Sequence, residues 1–317
     1  MPLLQTQTQL SPISDRELRI SLRKLLSQNH GDLAILIGNG INQYNASSTS
    51  NSWDHLLSEI AKQHIGPVNS KKPDGISHTE FYDVLSLAVI RKAGDISLAQ
   101  QFCQLMETWQ PLEQHKTVTT WAKKFSIPIL TTNFDKTLSE AAGAIFRKSE
   151  TPHFTARYPW ATFFGNNPIS DPCSEFAIWH VHGLMKYPSS IRLGLSDYMA
   201  AVSRARNWLH TGDNRLFGNE GGSEWLGANT WLHVFFHKPL LILGQGLTET
   251  EVFLRWLFIE RAKYYKNYPR QKKDGWYVYK DGELSAGKEL FLTAVGITPL
   301  CVNDYHTMYS KSTWKFI

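Results

Sequence analysis

Four short apolar runs punctuate an otherwise mixed chain, and each ends in a polar or glycine-rich stop. Leu33-Ala34-Ile35-Leu36-Ile37 stops at Gly38-Asn39-Gly40, and Ile127-Pro128-Ile129-Leu130-Thr131-Thr132 runs into Asn133-Phe134-Asp135. Phe176-Ala177-Ile178-Trp179-His180-Val181 ends at His182-Gly183, and Leu240-Leu241-Ile242-Leu243 ends at Gly244. Short runs of this kind read as strands buried on both faces of a parallel sheet. Between them apolar positions recur at helical spacing: over 14–28, across most of 53–125 with breaks near 67–73 and Pro111, and from Lys136 onward. Thr248-Glu249-Thr250-Glu251 has the spacing of a capping box that opens a helix to about Lys263. Residues 276–280 and 298–303 read as edge strands, 1–13 as a loose arm, and 147–175, with four prolines, as a long loop. Strands alternating with helices predict an α/β fold with a mainly parallel sheet. The expected organisation is an arm and helix over 1–30, then one domain over 31–317 with a helical insertion at about 53–125.

Composition narrows the class. The chain has 317 residues, of which 42% are hydrophobic and 19% charged, which excludes a mainly disordered protein. The net charge of +5 is spread along the chain and implies no nucleic-acid partner. No apolar run approaches the roughly 18 residues of a membrane helix. The N-terminus has no Lys or Arg before Arg16 and no apolar block, unlike a signal peptide, so the expected location is the cytoplasm. Three dispersed cysteines, Cys103, Cys173 and Cys301, can form neither a thiolate zinc module nor a disulfide framework.

In open α/β sheets ligands bind beyond the carboxyl ends of the strands. The four stops, Gly38–Asn42, Asn133–Asp135, His182–Gly183 and Gly244–Leu247, should therefore meet in one cleft. The glycines of Gly38-Asn39-Gly40-Ile41-Asn42 would let backbone N–H groups approach a phosphate, or simply make a tight turn. Gln43 replaces the third glycine of the dinucleotide fingerprint, and no acidic strand end follows about 20 residues on, which disfavours an ordinary dehydrogenase. Asn133 and Asp135 sit on a strand-to-helix turn, where the alternatives are loop satisfaction and a helix cap. His180 and His182 share one strand face. No third ligand is evident, so no metal is expected. His180 reads as a core histidine. His182, beside the strand-ending Gly183, is the candidate general base. The Arg261–Lys273 cations interleaved with Tyr264, Tyr265 and Tyr268 read as a solvated helix end. No Gly-x-Ser-x-Gly elbow or Gly-x-x-x-x-Gly-Lys-Ser/Thr loop is present.

Taken in order, these motifs resemble the sirtuin-like NAD-consuming fold. Gly38-Asn39-Gly40-Ile41-Asn42 stands where sirtuins carry Gly-Ala-Gly-x-Ser, and Thr131-Thr132-Asn133-Phe134-Asp135 where they carry Thr-Gln-Asn-x-Asp. His182-Gly183 matches the catalytic His-Gly, and Gly244-Gln245-Gly246-Leu247 the late Gly-x-Ser; the likeness runs over about 31–265. The four-cysteine zinc module, the serine at position 42 and the Gly-Ile-Pro-Asp-Phe-Arg loop are missing. The Thr-Thr-Asn-Phe-Asp and His-Val-His-Gly forms, with Gly194-Leu195-Ser196-Asp197-Tyr198, instead resemble bacterial sirtuin-like proteins of antiphage defence. The resemblance implies a Rossmann-type sheet flanked by helices, without a zinc module. NAD would be the substrate, cleaved to nicotinamide and ADP-ribose to deplete the cell of NAD. His182 would be the base, Asn133 would orient ribose and water, and Asp135 would hold the Asn133 loop or face the cationic sugar. Gly38, Asn39, Gly40, Ile41, Asn42, Thr132, Gly244, Gly246 and Leu247 would surround the dinucleotide. The resemblance also implies a homo-oligomer, a partner defence subunit (a sensor, ATPase or nucleotide-processing protein), or both, with no direct nucleic-acid or membrane contact. Two rival readings are a zinc-free NAD-dependent deacylase or ADP-ribosyltransferase, which needs an acceptor, and a non-catalytic nucleotide sensor, which needs neither Asn133 nor His182.

Overall fold

The four apolar runs form the middle of one sheet. In the computed structural model, which describes residues 21–46, 51–89, 95–149, 158–218, 220 and 224–315, the strands are β1 (Ala34–Ile37), β2 (Ile129–Thr131), β3 (Ile145–Lys148), β4 (Thr162–Gly165), β5 (Ile178–His180), β6 (Leu240–Leu243), β7 (Gly275–Lys280) and β8 (Thr298–Val302). They pair in the order β3-β4-β5-β2-β1-β6-β7-β8. The pairings from β5 to β8 are parallel, with Ile35 opposite both Ile129 and Leu241. The pairings β3–β4 and β4–β5 are antiparallel. The fold is therefore the expected α/β class, mainly parallel and Rossmann-like.

Every residue of β1, β2, β5 and β6 is buried because helices cover both faces. Side chains alternate across a strand. Ala34 and Leu36 join one core with Trp179, Trp231, Phe253 and Leu257. Ile35 and Ile37 join the other with Leu25, Trp121, Leu243 and Trp314. The second core is closed by α1 (Leu22–Asn29), α6 (Glu113–Lys124), α7 (Thr137–Ala142), α12 (Tyr305–Tyr309) and α13 (Lys311–Trp314). The first is closed by α8 (Leu195–His210), α9 (Trp231–His237), α10 (Val252–Asn267) and α11 (Ala286–Ala294). A single turn, α2 (Gly40–Gln43), follows β1 directly.

Three helices of the 53–125 region, α3 (Trp53–Ile65), α4 (His78–Ala88) and α5 (Leu98–Met106), build a third core around Leu57, Phe81, Phe102 and Met106. Each begins on a serine, Ser52, Ser77 or Ser97, whose hydroxyl accepts a first-turn N–H. Phe134 reaches into this core from the turn after β2, with its ring 5.0 Å from Trp53 and 6.1 Å from Phe102. The insertion is thereby bolted to the Asn133 turn.

Several expectations change. The helix predicted over 14–28 begins, as far as it is described, at Leu22 behind the Ser21 cap; the arm and residues 14–20 lie outside the described residues. The predicted 147–175 loop contains β4, whose Phe163 and Phe164 are buried, and begins inside β3. Pro159 and the Gly165-Asn166-Asn167-Pro168 turn mask that four-residue strand in the sequence. Of the two predicted edge strands, β7 is an inner strand and β8 is an edge. The capping box at Thr248 does not form: α10 starts at Val252, Glu251 makes no cap bond, and the Thr248 hydroxyl pairs with that of Thr250 (2.9 Å). Among the described residues no helix is long and apolar enough to cross a membrane.

Candidate active site

The turns after β1, β2, β5 and β6 meet at one end of the sheet. The Gly38 N–H donates to Leu243 O and the Gly40 N–H to Gly244 O, both at 2.9 Å. The Thr132 N–H donates to Ile37 O (3.0 Å) and the Val181 N–H to Thr131 O (2.7 Å). A Cβ on Gly38 would lie 2.5 Å from Gly244 O, and one on Gly40 would lie 2.7 Å from Gly244 Cα. Glycine is thus required where the β1 turn touches the β6 turn. Close packing of the two turns is sufficient reason for glycine at both positions.

Behind this junction lies a buried polar knot. Asn42 Nδ2 donates to Asp135 Oδ2 and to Asn39 Oδ1, both at 2.8 Å. Asn42 Oδ1 takes His115 Nε2 (2.8 Å) and the Thr137 hydroxyl (3.2 Å). Leu112 N–H donates to His115 Nδ1 (3.0 Å), which leaves Nε2 as the protonated nitrogen. Burial holds His115 neutral, with its pKa down at about 4. Asp135 also accepts the Thr137 N–H at the start of α7 (2.9 Å). Both its oxygens are therefore occupied within the knot.

Asn133 is pinned by its main chain. Its N–H donates to Thr131 Oγ1 (3.1 Å), and its carbonyl accepts His180 Nδ1 (2.7 Å). His180 is buried, its pKa is lowered by burial, and it holds this turn from the strand side. The Asn133 amide lies 3.4 Å from Gly38 O, and its Oδ1 is buried without a hydrogen-bond partner.

His182 follows β5 and is only 1% exposed. The Tyr198 hydroxyl sits 3.3 Å from its Nδ1, and its carbonyl accepts the Arg192 N–H (2.8 Å). Its Nε2 has no hydrogen-bond partner. Glu251 Oε1, also unpartnered, lies 3.4 Å from that nitrogen. Burial, with Arg192 adding to it, pushes His182 down to about 3. Burial pushes Glu251 up to about 8, against the pull of the Leu254 N–H. Near neutral pH the close approach joins two uncharged groups and is no ion pair.

These turns line a cleft of about 660 Å³, within the range of roughly 300–1,000 Å³ of ligand sites. Of the sequence candidates, Asn39, Gly40, Thr132, His182, Gly244, Gly246 and Leu247 line it. Gly38, Ile41, Asn42, Asn133 and Asp135 stand behind that lining. The helical insertion adds Trp53 and His78, and the β7 side adds Tyr277, Lys280 and Lys288. Reading the sequence missed Glu251, because its spacing from Thr248 mimics a capping box. It also missed Gln245, whose amide lies 3.3 Å from Thr132 Oγ1, and Tyr198, which carried no strand-end signal.

Asp171, Cys173 and His233 present possible metal ligands within 4.8 Å of one another, and none lines the cleft. Two of the three have an atom otherwise engaged. Asp171 Oδ1 accepts the Cys173 N–H (2.8 Å), and His233 Nδ1 accepts Trp225 Nε1 (3.0 Å). Burial raises the Cys173 thiol to about 12. With that geometry in view, comparison with known families matches residues 128–300 to the SIR2-like domain. Comparison with curated proteins gives no match.

Proposed function

Because the chain belongs to the SIR2-like domain family, whose substrate is NAD, we propose that it is an NAD glycohydrolase that releases nicotinamide and ADP-ribose. The observation that carries this reading is His182 Nε2, buried in the cleft wall at the strand ends without a partner. A polar atom left so costs free energy unless a ligand completes it. The reaction breaks the bond between the ribose anomeric carbon and the nicotinamide nitrogen. The electron pair leaves with neutral nicotinamide, an oxocarbenium-like sugar forms, water adds, and one proton is released. His182 would receive that proton. Its basicity is suppressed by burial, and the dinucleotide's diphosphate would raise it by bringing negative charge close. Asn133, just behind the lining with its main chain fixed from both sides and its Oδ1 unpartnered, would turn that oxygen toward the ribose or the water. Lys280 and Lys288 would give the cleft cations for phosphate.

The departures from deacylases support hydrolysis over acyl transfer: three dispersed cysteines cannot build the four-cysteine module. The Thr-Thr-Asn-Phe-Asp and His-Val-His-Gly forms support a role in antiphage defence through NAD depletion. An enzyme that consumed NAD without control would harm its own cell, so we also propose that activity depends on self-association or a partner subunit. Incubating the purified protein with NAD, alone and with co-expressed neighbouring proteins, tests the reading. Nicotinamide and ADP-ribose in equal amounts are the expected products; an absolute requirement for an acyl-lysine acceptor would overturn it.

A further inference from the structure

We propose that Glu251 is a second catalytic group of this cleft, forming with His182 a receptor for the vicinal diol of the ribose at which the substrate is cleaved. The inference rests on the NAD reading above. Its basis is a pair of buried polar atoms, His182 Nε2 and Glu251 Oε1, that lie 3.4 Å apart and lack hydrogen-bond partners. Both residues line the same cleft. Each arrives on a separately anchored element. His182 is held from behind by Tyr198 and through its carbonyl by Arg192 N–H. Glu251 is fixed by its N–H to Thr248 O (3.0 Å) and by its carbonyl, which accepts Arg255 N–H (3.1 Å). A glutamate at a helix start ordinarily turns toward the first-turn amides. This one feels the first-turn Leu254 N–H but completes no cap bond, and its Oε1 lies toward the imidazole without a hydrogen-bond partner.

Two acceptors at that spacing suit two neighbouring hydroxyls, one on each. A cis diol is the group in a nicotinamide ribose that presents such a pair. The imidazole takes one hydroxyl hydrogen and the carboxylate the other. The carboxylate then sits beside the anomeric carbon, where positive charge develops as the electron pair departs with nicotinamide. No oxidant or further reactant is needed; the carboxyl proton passes to solvent before the bond breaks. The ionisable groups around Glu251 are His182, Tyr158 and Tyr198, with Arg192 behind them. Burial keeps the free carboxyl protonated near pH 7. Turnover at low substrate should therefore rise with pH until the carboxyl ionises.

The test uses the full-length protein and a carbocyclic NAD that cannot be hydrolysed, together with the same compound lacking both hydroxyls beside the nicotinamide. Glu251→Gln and Glu251→Asp are compared with the wild type and with Glu249→Gln, a change at an exposed neighbour. Thermal unfolding checks each fold. The expected result is that Glu251→Gln weakens the diol-bearing compound about tenfold or more and leaves the dideoxy compound unchanged. The pH-dependent rise in kcat/KM should disappear in Glu251→Gln and persist in Glu251→Asp. The inference is overturned if Glu251→Gln binds and turns over like the wild type, or if both compounds lose affinity equally. In either case the NAD reading survives. If the wild type binds neither compound and leaves NAD intact, the NAD reading falls and takes the inference with it.

Discussion

Asn42 shows how one side chain can organise a site without entering it. Its amide group joins α2 to Asp135 after β2, and its oxygen joins both to His115 of α6 and Thr137 of α7. Asn42→Ala would strand Asp135 and His115 in a buried pocket, at about 1–3 kcal/mol for each lost partner. We expect a clear drop in Tm for Asn42→Ala, with His115→Ala not fully additive to it. Equal Tm values for Asn42→Ala and wild type would contradict this account. The same knot explains why Asp135 was only half legible in the sequence. Its place on a strand-to-helix turn marked it as important, but both its oxygens face inward, to the Asn42 amide and to Thr137. Glu251 is the converse case. Local spacing assigned it to a cap, and only tertiary contact shows it beside His182.

At the scale of elements, the junction of the β1 and β6 turns depends on the absence of side chains. Gly40→Ala would place a methyl 2.7 Å from Gly244 Cα, and neither backbone can retreat without breaking the 2.9 Å bond between them. We expect Gly40→Ala to lower Tm and remove NAD turnover together. Gly246→Ala, whose added Cβ meets only Thr248 Cγ2 at 3.8 Å, should leave Tm near the wild-type value. A Gly40→Ala protein with wild-type stability would show that the junction is softer than described. The central strands were legible because each is a short apolar run buried on both faces, which leaves little else for it to be. β4 was not. Its partner β3 is half exposed, and antiparallel pairing at the sheet's end follows from tertiary position, not from residue pattern. The insertion was legible as helices, whereas its attachment through Phe134 to the Asn133 turn was not, since a single aromatic in a turn carries no periodic signal.

For the whole molecule, buried histidines set the response to acid. Burial lowers His115 to about 4 and His182 and His233 to about 3, from an ordinary value of 6.5. A depressed folded-state pKa means that the unfolded chain binds protons first. The stability these groups contribute is present above pH 6.5 and is lost as pH falls toward 3–4. The upper limit is about 1.4 kcal/mol per histidine per pH unit. Glu251 works in the opposite direction. Its raised pKa costs stability as pH climbs from 4.5 to about 8, so acidification in that window returns some. Burial also lowers His180 and His237, so the histidine losses outnumber the one carboxyl gain and predict a falling Tm from pH 6.5 to 4, shallower in His233→Gln. A flat or rising Tm over that range would count against the burial of these rings.

The sheet, the insertion and the β6 turn together hold His182 and the Asn133 turn at one cleft, and the account stands or falls on whether that cleft cleaves NAD. The most direct measurement is the mass balance of nicotinamide and ADP-ribose from NAD with wild type, His182→Ala and Asn133→Ala, each checked for an intact fold and assayed with its assembled partners. Equimolar products from the wild type and a loss of about 100-fold or more in each variant are predicted. Near-normal turnover by a well-folded His182→Ala or Asn133→Ala protein would contradict the account.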